Sequence, residues 1–80
     1  MASPVQVDKV LDAKGLLCPL PVVKLFKAIK EMDVGQVIEM QATDPGAKPD
    51  MDAWVKNTGH EMVDQADEGD VFIFWIRKTK

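Results

Sequence analysis

The chain has one cysteine and one histidine among its 80 residues. A single cysteine excludes an intramolecular disulfide. One cysteine with one histidine falls short of the four ligands of a structural zinc site. No metal and no bound cofactor are therefore expected. Long hydrophobic runs are missing as well. The longest aliphatic and aromatic stretch without proline spans 71–76, far below the ~20 residues that a bilayer-spanning helix requires. The N-terminus, Met1-Ala2-Ser3-Pro4, has neither a basic region nor an apolar core, so no signal peptide is expected. There is no internal repeat, low-complexity tract or linker. The expectation is one cytoplasmic domain over 1–80, with 1–5 as a flexible tail.

Apolar residues make up 46% of the chain and charged residues 29%, enough burial to offset the entropy of ordering. A domain this small without disulfide or metal depends on efficient packing. Net charge is −3, which argues against general nucleic-acid binding. Its distribution says more. Between 13 and 30 there are four lysines (Lys14, Lys24, Lys27, Lys30) and no acid. Between 39 and 70 there are nine acids and two lysines. Such polarity is commonly just a solvated surface, and it can also steer a charged partner toward one part of the fold.

Along the chain, 6–12 reads as a first strand through Val7, Val10 and Leu11, ended by Gly15. A helical pattern follows Pro21. Val22, Phe26 and Ile29 share one face, extended by Leu25 and Met32, and Lys24, Lys27 and Lys30 fill the other side. Gly35 suits a left-handed stop. Val37–Ala42 alternates as a strand, with Ile38, Met40 and Ala42 on one side. Thr43-Asp44-Pro45-Gly46 is a turn by composition. A second helix starts at 48 or 49 and runs to 58, with Met51, Trp54 and Val55 on one face and Gly59 after its end. Strands are expected over 61–66 and 71–78, with a turn at 67–70.

The order β-α-β-α-β-β gives an α/β (α+β) fold of two layers. Strands one and two are parallel through a right-handed crossover, and strands three and four antiparallel. Both helices are expected on one face of the sheet. The last strand, apolar on both sides, belongs inside it. Either Phe72, Phe74 and Ile76 or Val71, Ile73 and Trp75 then line the uncovered face. That set is a possible docking surface or a strand shielded by lysine stems and loops.

Cys18 stands where the first helix begins. The expected assignment is Cys18 at the N-cap, Pro19 at N1 and Pro21 at N3, positions where a missing N–H costs nothing. Leu20, preceding a proline, is expected to lie away from helical geometry. The donors near the sulfur are the N–H groups of Leu20 and Val22. A thiol here feels the positive end of the helix dipole, with Lys14 and Lys24 adding to the field. The site favours a thiolate, or an anion bonded in its place. The alternative is a buried inert thiol, the commonest fate of a lone cysteine. The glycine turn and the two prolines tilt the balance toward function without deciding it. His60 follows Gly59 in another part of the chain, and a Cys-His catalytic pair is the weaker reading of it than a strand-end residue with a local hydrogen bond.

The run LDAKGLLCPLP over 11–21 resembles the signature of the TusA (SirA-like) sulfur-carrier family. Its hallmark is Cys-Pro-x-Pro after a glycine turn. The likeness continues through Asp44-Pro45, Trp54, Gly59-His60-Glu61 and Ile76-Arg77-Lys78. The resemblance implies a sheet of order 1-2-4-3 with strand four antiparallel to the rest. It implies that Cys18 carries sulfur as a persulfide, a carrier's covalent role rather than a full catalytic site. The sulfur would come from a cysteine desulfurase or a rhodanese-type donor and pass to a sulfur-accepting relay protein. Family contexts include tRNA thiolation, molybdenum-cofactor assembly and sulfur oxidation. Pro19, Pro21, Lys14, Lys24 and Asp44 are supporting candidates, Asp44 either at the rim around Cys18 or as a turn stabiliser. Two positions depart from the family pattern. Leu17 stands where some members have arginine, and Val55 where many have a second cysteine. The competing function is a non-catalytic interaction or regulatory module on the uncovered sheet face. A nucleic-acid site along 14–30 lacks interleaved aromatics, and neither nucleic acid nor membrane is an expected partner.

Overall fold

Strand β2, Val37–Ala42, sits inside the sheet and sets its two faces. Strict alternation sends Ile38, Met40 and Ala42, all fully buried, to one side. Val37, Glu39 and Gln41 point to the other. The computed structural model describes residues 6–17 and 20–80. Strand β1, Lys9–Ala13, pairs parallel with β2, with Ala13 opposite Ala42. On the far side, β4, Val71–Arg77, runs antiparallel to β2 and places Phe72 opposite Ala42. Strand β3, Glu61–Glu68, pairs antiparallel with β4 at the edge. The order is β1-β2-β4-β3, and β4 opposes the other three strands, as the resemblance implies.

Helix α1, Leu20–Lys30, and helix α2, Ala47–Thr58, lie on the Ile38–Met40 side. Leu25, Ile29, Met51 and Trp54 close over Ile38, Met40, Phe74 and Ile76 to make the main core. The expected two-layer fold is therefore the one found. Helix α2 ends at Gly59, whose left-handed φ of 83° lets its N–H reach the Val55 carbonyl at 2.9 Å. Helix α1 ends differently. Glu31 and Met32 donate to the carbonyls of Ala28 and Ile29, tightening the last turn so that Met32 turns inward. The Lys78 ammonium donates to the Met32 carbonyl at 2.6 Å, placing a cation just past the negative end of the helix. No helix among the described residues is long and apolar enough to cross a membrane.

The helix-free face carries Val71, Ile73 and Trp75 of β4, one of the two sets anticipated. It is not left open. Val37, Ile73 and Trp75 form a second small core with Val7, Val63 and Ala66 packed around them. Ile73 is 8% exposed and Trp75 3%. The indole Nε1–H donates to Glu39 Oε1 at 2.9 Å, and Gln41 Nε2 donates to Glu39 Oε2 at 2.7 Å. Both carboxylate oxygens are thus engaged, and the indole's polar atom is satisfied where the ring is buried. The shielding comes from Glu39, Gln41 and neighbouring apolar residues, not from the lysine stems expected. The apolar residues at the centre of this face are accordingly covered.

Several boundaries shift. β1 begins at Lys9 rather than 6, because pairing with β2 starts at Ile38. β3 continues to Glu68, since the ladder with β4 holds up to Glu68 opposite Val71, leaving a two-residue hairpin loop at Gly69 and Asp70. β4 ends at Arg77 and α2 starts at Ala47. Phe26 does not share the buried face of α1. The core takes Pro21, Leu25 and Ile29, and the Phe26 ring lies outside with the Lys30 ammonium 4.3 Å from its centroid. Two apolar stripes compete on this helix, and the stripe led by Leu25 is the one that meets the sheet. The expected tail over 1–5 lies outside the described residues.

The two faces of the sheet predict different sensitivities. Ile38→Ala, on the helix side, should cost about 3 kcal/mol in urea unfolding, the range of large-to-small core changes. Val10→Ala, at an exposed position of β1, should cost less than about 0.5 kcal/mol. Equal costs would mean that the core is not where the burial places it.

Candidate functional site

A parallel pair brings the loops after both strands to one end of the sheet. Here the loop after β1 and the loop after β2 meet through a hydrogen bond. The Gly15 N–H donates to Thr43 Oγ1 at 2.9 Å. Gly15 adopts a left-handed φ of 82°, and an added Cβ there would meet no atom within 4 Å. Backbone conformation, not space, is what calls for glycine at this turn. The same turn is held by Lys14 N–H donating to Asp12 Oδ1 at 3.0 Å and by Leu16 N–H donating to the Ala13 carbonyl at 3.3 Å. Leu16 packs against the main core, and Leu17 is exposed.

Cys18 and Pro19 lie outside the described residues. Their described neighbours do not. Leu20 donates its N–H to the Leu17 carbonyl at 2.9 Å, so the residues on either side of the Cys18–Pro19 pair are tied to each other. Leu20 is the first residue of α1, and not displaced from helical geometry as its place before proline led one to expect. Its N–H is also not among the donors left over at the helix start. Pro21 falls one position earlier in the helix than expected, still in the first turn where no intrahelical bond is lost. Its ring is fully buried, which anchors the helix start against the core.

The supporting candidates separate. Lys14 and Lys24 are exposed. Asp44 sits next to Thr43, at the same end of the sheet as Gly15. Its Oδ1 accepts the Gly46 N–H at 3.3 Å, and its carbonyl accepts the Ala47 N–H at 2.9 Å, where α2 begins. Asp44 thus stabilises its own turn, which lies at the end of the sheet from which the chain leads into Cys18.

His60 belongs to the opposite end. It precedes Glu61, which pairs with Arg77, which in turn faces Val37 at the start of β2. The length of β2, roughly 17 Å at the usual rise per residue, separates that end from Ala13 and Thr43. His60 is therefore far from the loop that leads to Cys18. His60 Nδ1 instead accepts the Thr79 N–H at 3.2 Å, and the ring lies 5.3 Å from that of Trp54. This is the local hydrogen bond expected of a strand-end histidine. An open groove of about 610 Å³, lined by Asp8, Val34, Gln36 and Arg77 among others, also lies at this far end. No group of three or more metal-ligating side chains is found among the described residues.

The sequence reading did not single out two features of the site. Thr43 is one, and its signal was only the parallel pairing, which makes the residue after β2 face the loop after β1. The other is the exposure of Leu17, Leu20, Val23 and Phe26 in one region. An apolar residue carries no mark in the sequence of which face it will take.

The sequence profile of the family described as Sulfurtransferase TusA matches residues 9–78. The YrkI protein of Bacillus subtilis is 56% identical over 71 residues, covering 89% of this chain and 95% of its own length. The sulfur carrier protein TusA of Allochromatium vinosum is 46% identical over 72 residues, covering 90% of this chain and 95% of its own. Among solved structures, a SirA-like protein from Desulfitobacterium hafniense superposes with a TM-score of 0.77 at 20% identity. That match covers 90% of this chain and 99% of the other, a likeness of fold.

Burial, followed by the charges of Lys78 and Lys80, pushes the His60 pKa below its usual 6.5. A depressed histidine means that the folded state binds fewer protons than the unfolded chain in this range. Its contribution to stability is complete above pH 6.5 and declines as pH falls through 6.5 toward the folded value. In an NMR titration His60 should show its midpoint below 6.5, and the Thr79 amide should shift with it. A midpoint above 6.5 would contradict the neutral, hydrogen-bonded imidazole.

Proposed function

The chain belongs to the TusA family, and from that premise we propose that it is a sulfur carrier whose covalent site is Cys18. The observation that carries the reading is the family match over 9–78 in a chain with one thiol. Only that sulfur can hold a transferred sulfur atom as a persulfide. The chemistry balances without an outside oxidant. The Cys18 thiolate attacks the terminal sulfur of a donor persulfide. The new S–S bond forms as the old one breaks, and the donor leaves as its thiolate. In the second half an acceptor thiolate attacks the terminal sulfur on Cys18, and Cys18 leaves as the thiolate. The transferred sulfur keeps its oxidation state throughout.

The surroundings support this role by what they provide. A carrier needs a fixed platform and an approachable sulfur. The Gly15–Thr43 bond, the Leu17–Leu20 bond and buried Pro21 supply the platform. The exposure of Leu17 and Leu20 leaves the neighbourhood of Cys18 accessible to a partner. Donor and acceptor proteins provide the remaining catalytic groups, which suits a chain with no histidine at this end. The donor classes that fit are a cysteine desulfurase and a rhodanese-type enzyme, and the acceptor is a thiol-bearing relay protein. With no second cysteine beside Trp54, release of sulfur depends on the acceptor's thiol rather than on an internal disulfide.

The test is loading. After incubation with a cysteine desulfurase and cysteine, or a rhodanese and thiosulfate, intact-mass spectrometry should show one added sulfur that a reductant removes. Cys18→Ser should gain none while keeping its circular dichroism spectrum. Labile sulfur on the serine variant would defeat the assignment.

A further inference from the structure

The loop that leads from β1 into Cys18 is bonded mostly to itself. Lys14 N–H donates to Asp12 Oδ1, Leu16 N–H to the Ala13 carbonyl and Leu20 N–H to the Leu17 carbonyl, each across two or three residues. Such bonds fix the shape of a turn and move with it. They do not fix where the turn sits on the sheet. Among the described residues, one hydrogen bond of this loop reaches a distant part of the chain. Gly15 N–H donates to Thr43 Oγ1 at 2.9 Å, across 28 residues of sequence. Leu16 adds an apolar contact with the main core. Apolar packing is non-directional, so it holds a side chain without aiming the backbone beside it. Direction comes from the hydrogen bond.

Thr43 is a firm point to tie to. It follows Ala42, which is fully buried and pairs with Ala13 of β1 on one side and Phe72 of β4 on the other. It precedes Asp44, whose Oδ1 and carbonyl accept the N–H groups of Gly46 and Ala47 where α2 begins. The Thr43 backbone is therefore held from both directions. Its β-branched side chain has restricted rotation about χ1, which limits where the hydroxyl oxygen can lie. Gly15 is the opposite kind of residue. With a φ of 82° and no Cβ, it is the most freely hinged point of the loop. Its N–H is exposed, so water would satisfy it if the hydroxyl were removed. The bond therefore adds little to stability. Water cannot, however, supply a fixed position. The contribution of the hydroxyl is geometric.

We infer that Thr43 is a positioning residue for sulfur transfer at Cys18, acting through Gly15. Its hydroxyl holds the Gly15 turn against the end of β2, and that placement sets how the sulfur three residues further on is presented to a partner. This rests on the carrier reading of Cys18 and adds the group that aims it. In each transfer a thiolate attacks the terminal sulfur of a persulfide, one S–S bond forms as another breaks, and a thiolate leaves. The step needs the two sulfurs close and aligned. A loop that pivots at Gly15 reaches this alignment less often, so a docked complex turns over more slowly. Docking itself does not depend on the hydroxyl. Loss of the bond should therefore lower the saturating rate and leave the half-saturating concentration unchanged.

The experiment compares the parent with three variants. Thr43→Val keeps the shape and loses the acceptor, and Thr43→Ser keeps the acceptor. Thr58→Val removes a hydroxyl at the opposite end of the fold, one that donates to the Trp54 carbonyl at 2.7 Å. Thr43→Val should unfold near the parent's urea midpoint while its Gly15 amide exchanges faster with solvent. Transfer is then followed from a cysteine desulfurase with radiolabelled cysteine, or a rhodanese with radiolabelled thiosulfate, over a range of carrier concentrations. Thr43→Val should lower the saturating rate ~10-fold and keep the half-saturating concentration within ~2-fold of the parent's. Thr43→Ser should restore the rate to within ~3-fold, and Thr58→Val should match the parent. Loading by inorganic polysulfide, which reaches the thiol without a docked geometry, should be equal in all four. An unchanged saturating rate in Thr43→Val would overturn the positioning role, as would a raised half-saturating concentration alone, which marks a docking contact. A loss that serine does not restore, a loss shared by Thr58→Val, or a midpoint well below the parent's would overturn it in favour of general softening of the fold. Failure of the parent to take sulfur from either enzyme would overturn the carrier reading instead.

Discussion

The parallel pairing of β1 with β2 is the constraint on which the rest of this structure depends. Two parallel neighbours cannot be joined by a tight turn, so the chain must cross over the sheet, and α1 is that crossover. Because Ala13 lies opposite Ala42, the residues that follow each strand emerge side by side. The Gly15–Thr43 hydrogen bond records this meeting. Everything that leads into Cys18 is held by it: a glycine turn at one end of the sheet, then a helix whose first turn is pinned by a buried proline. The site owes its position to strand register rather than to any set of catalytic side chains converging on it.

Placing both helices on one face creates a debt on the other. The centre of the helix-free face would expose Trp75 and Ile73 if nothing covered them. The fold resolves this within the sheet. Glu39, one residue from buried Ile38 and buried Met40, uses both carboxylate oxygens on the helix-free side, for the Trp75 indole and the Gln41 amide. Val7 and Val63 complete the cover. An acid at the surface of a small apolar cluster satisfies the buried indole and presents polar atoms over it.

How much of this was legible in the sequence depended on how strongly each element was constrained by its own residues. β2 carries unbroken alternation, and its bounds and faces read directly. α2 ends where Gly59 requires it. β1 is an edge strand with an imperfect pattern, and its start is decided by pairing with β2, which the local sequence does not encode. β3 extends into Asp67 and Glu68 because its partner does, against the turn preference of those residues. Phe26 shows the limit of periodicity. Val22, Phe26 and Ile29 make as good a helical stripe as Pro21, Leu25 and Ile29, and only the sheet's position decides between them. The strand order came from the family resemblance, since spacing alone allows β4 inside the sheet without saying beside which strand. Cys18 was conspicuous as the one thiol between a glycine turn and two prolines, although the residue itself lies outside the described part of the chain. Thr43 was not conspicuous, because a threonine after a strand has no distinguishing pattern until the neighbouring loop is placed.

A carrier that meets a donor and then an acceptor faces a physical conflict. Its docking surface must be sticky enough to hold each partner through a sulfur transfer, yet a permanently exposed apolar patch invites self-association. The exposed part of α1 carries both apolar and cationic side chains. Lysines of one sign border the apolar residues, so two copies of the chain meeting helix to helix repel each other, whereas an acidic partner is drawn in. The Lys30 ammonium covers part of the Phe26 ring. What holds α1 in place is its packing on the core through Leu25 and Ile29, both nearly free of solvent. The lysines of this helix, exposed and outside both ion pairs, thus add little to the fold.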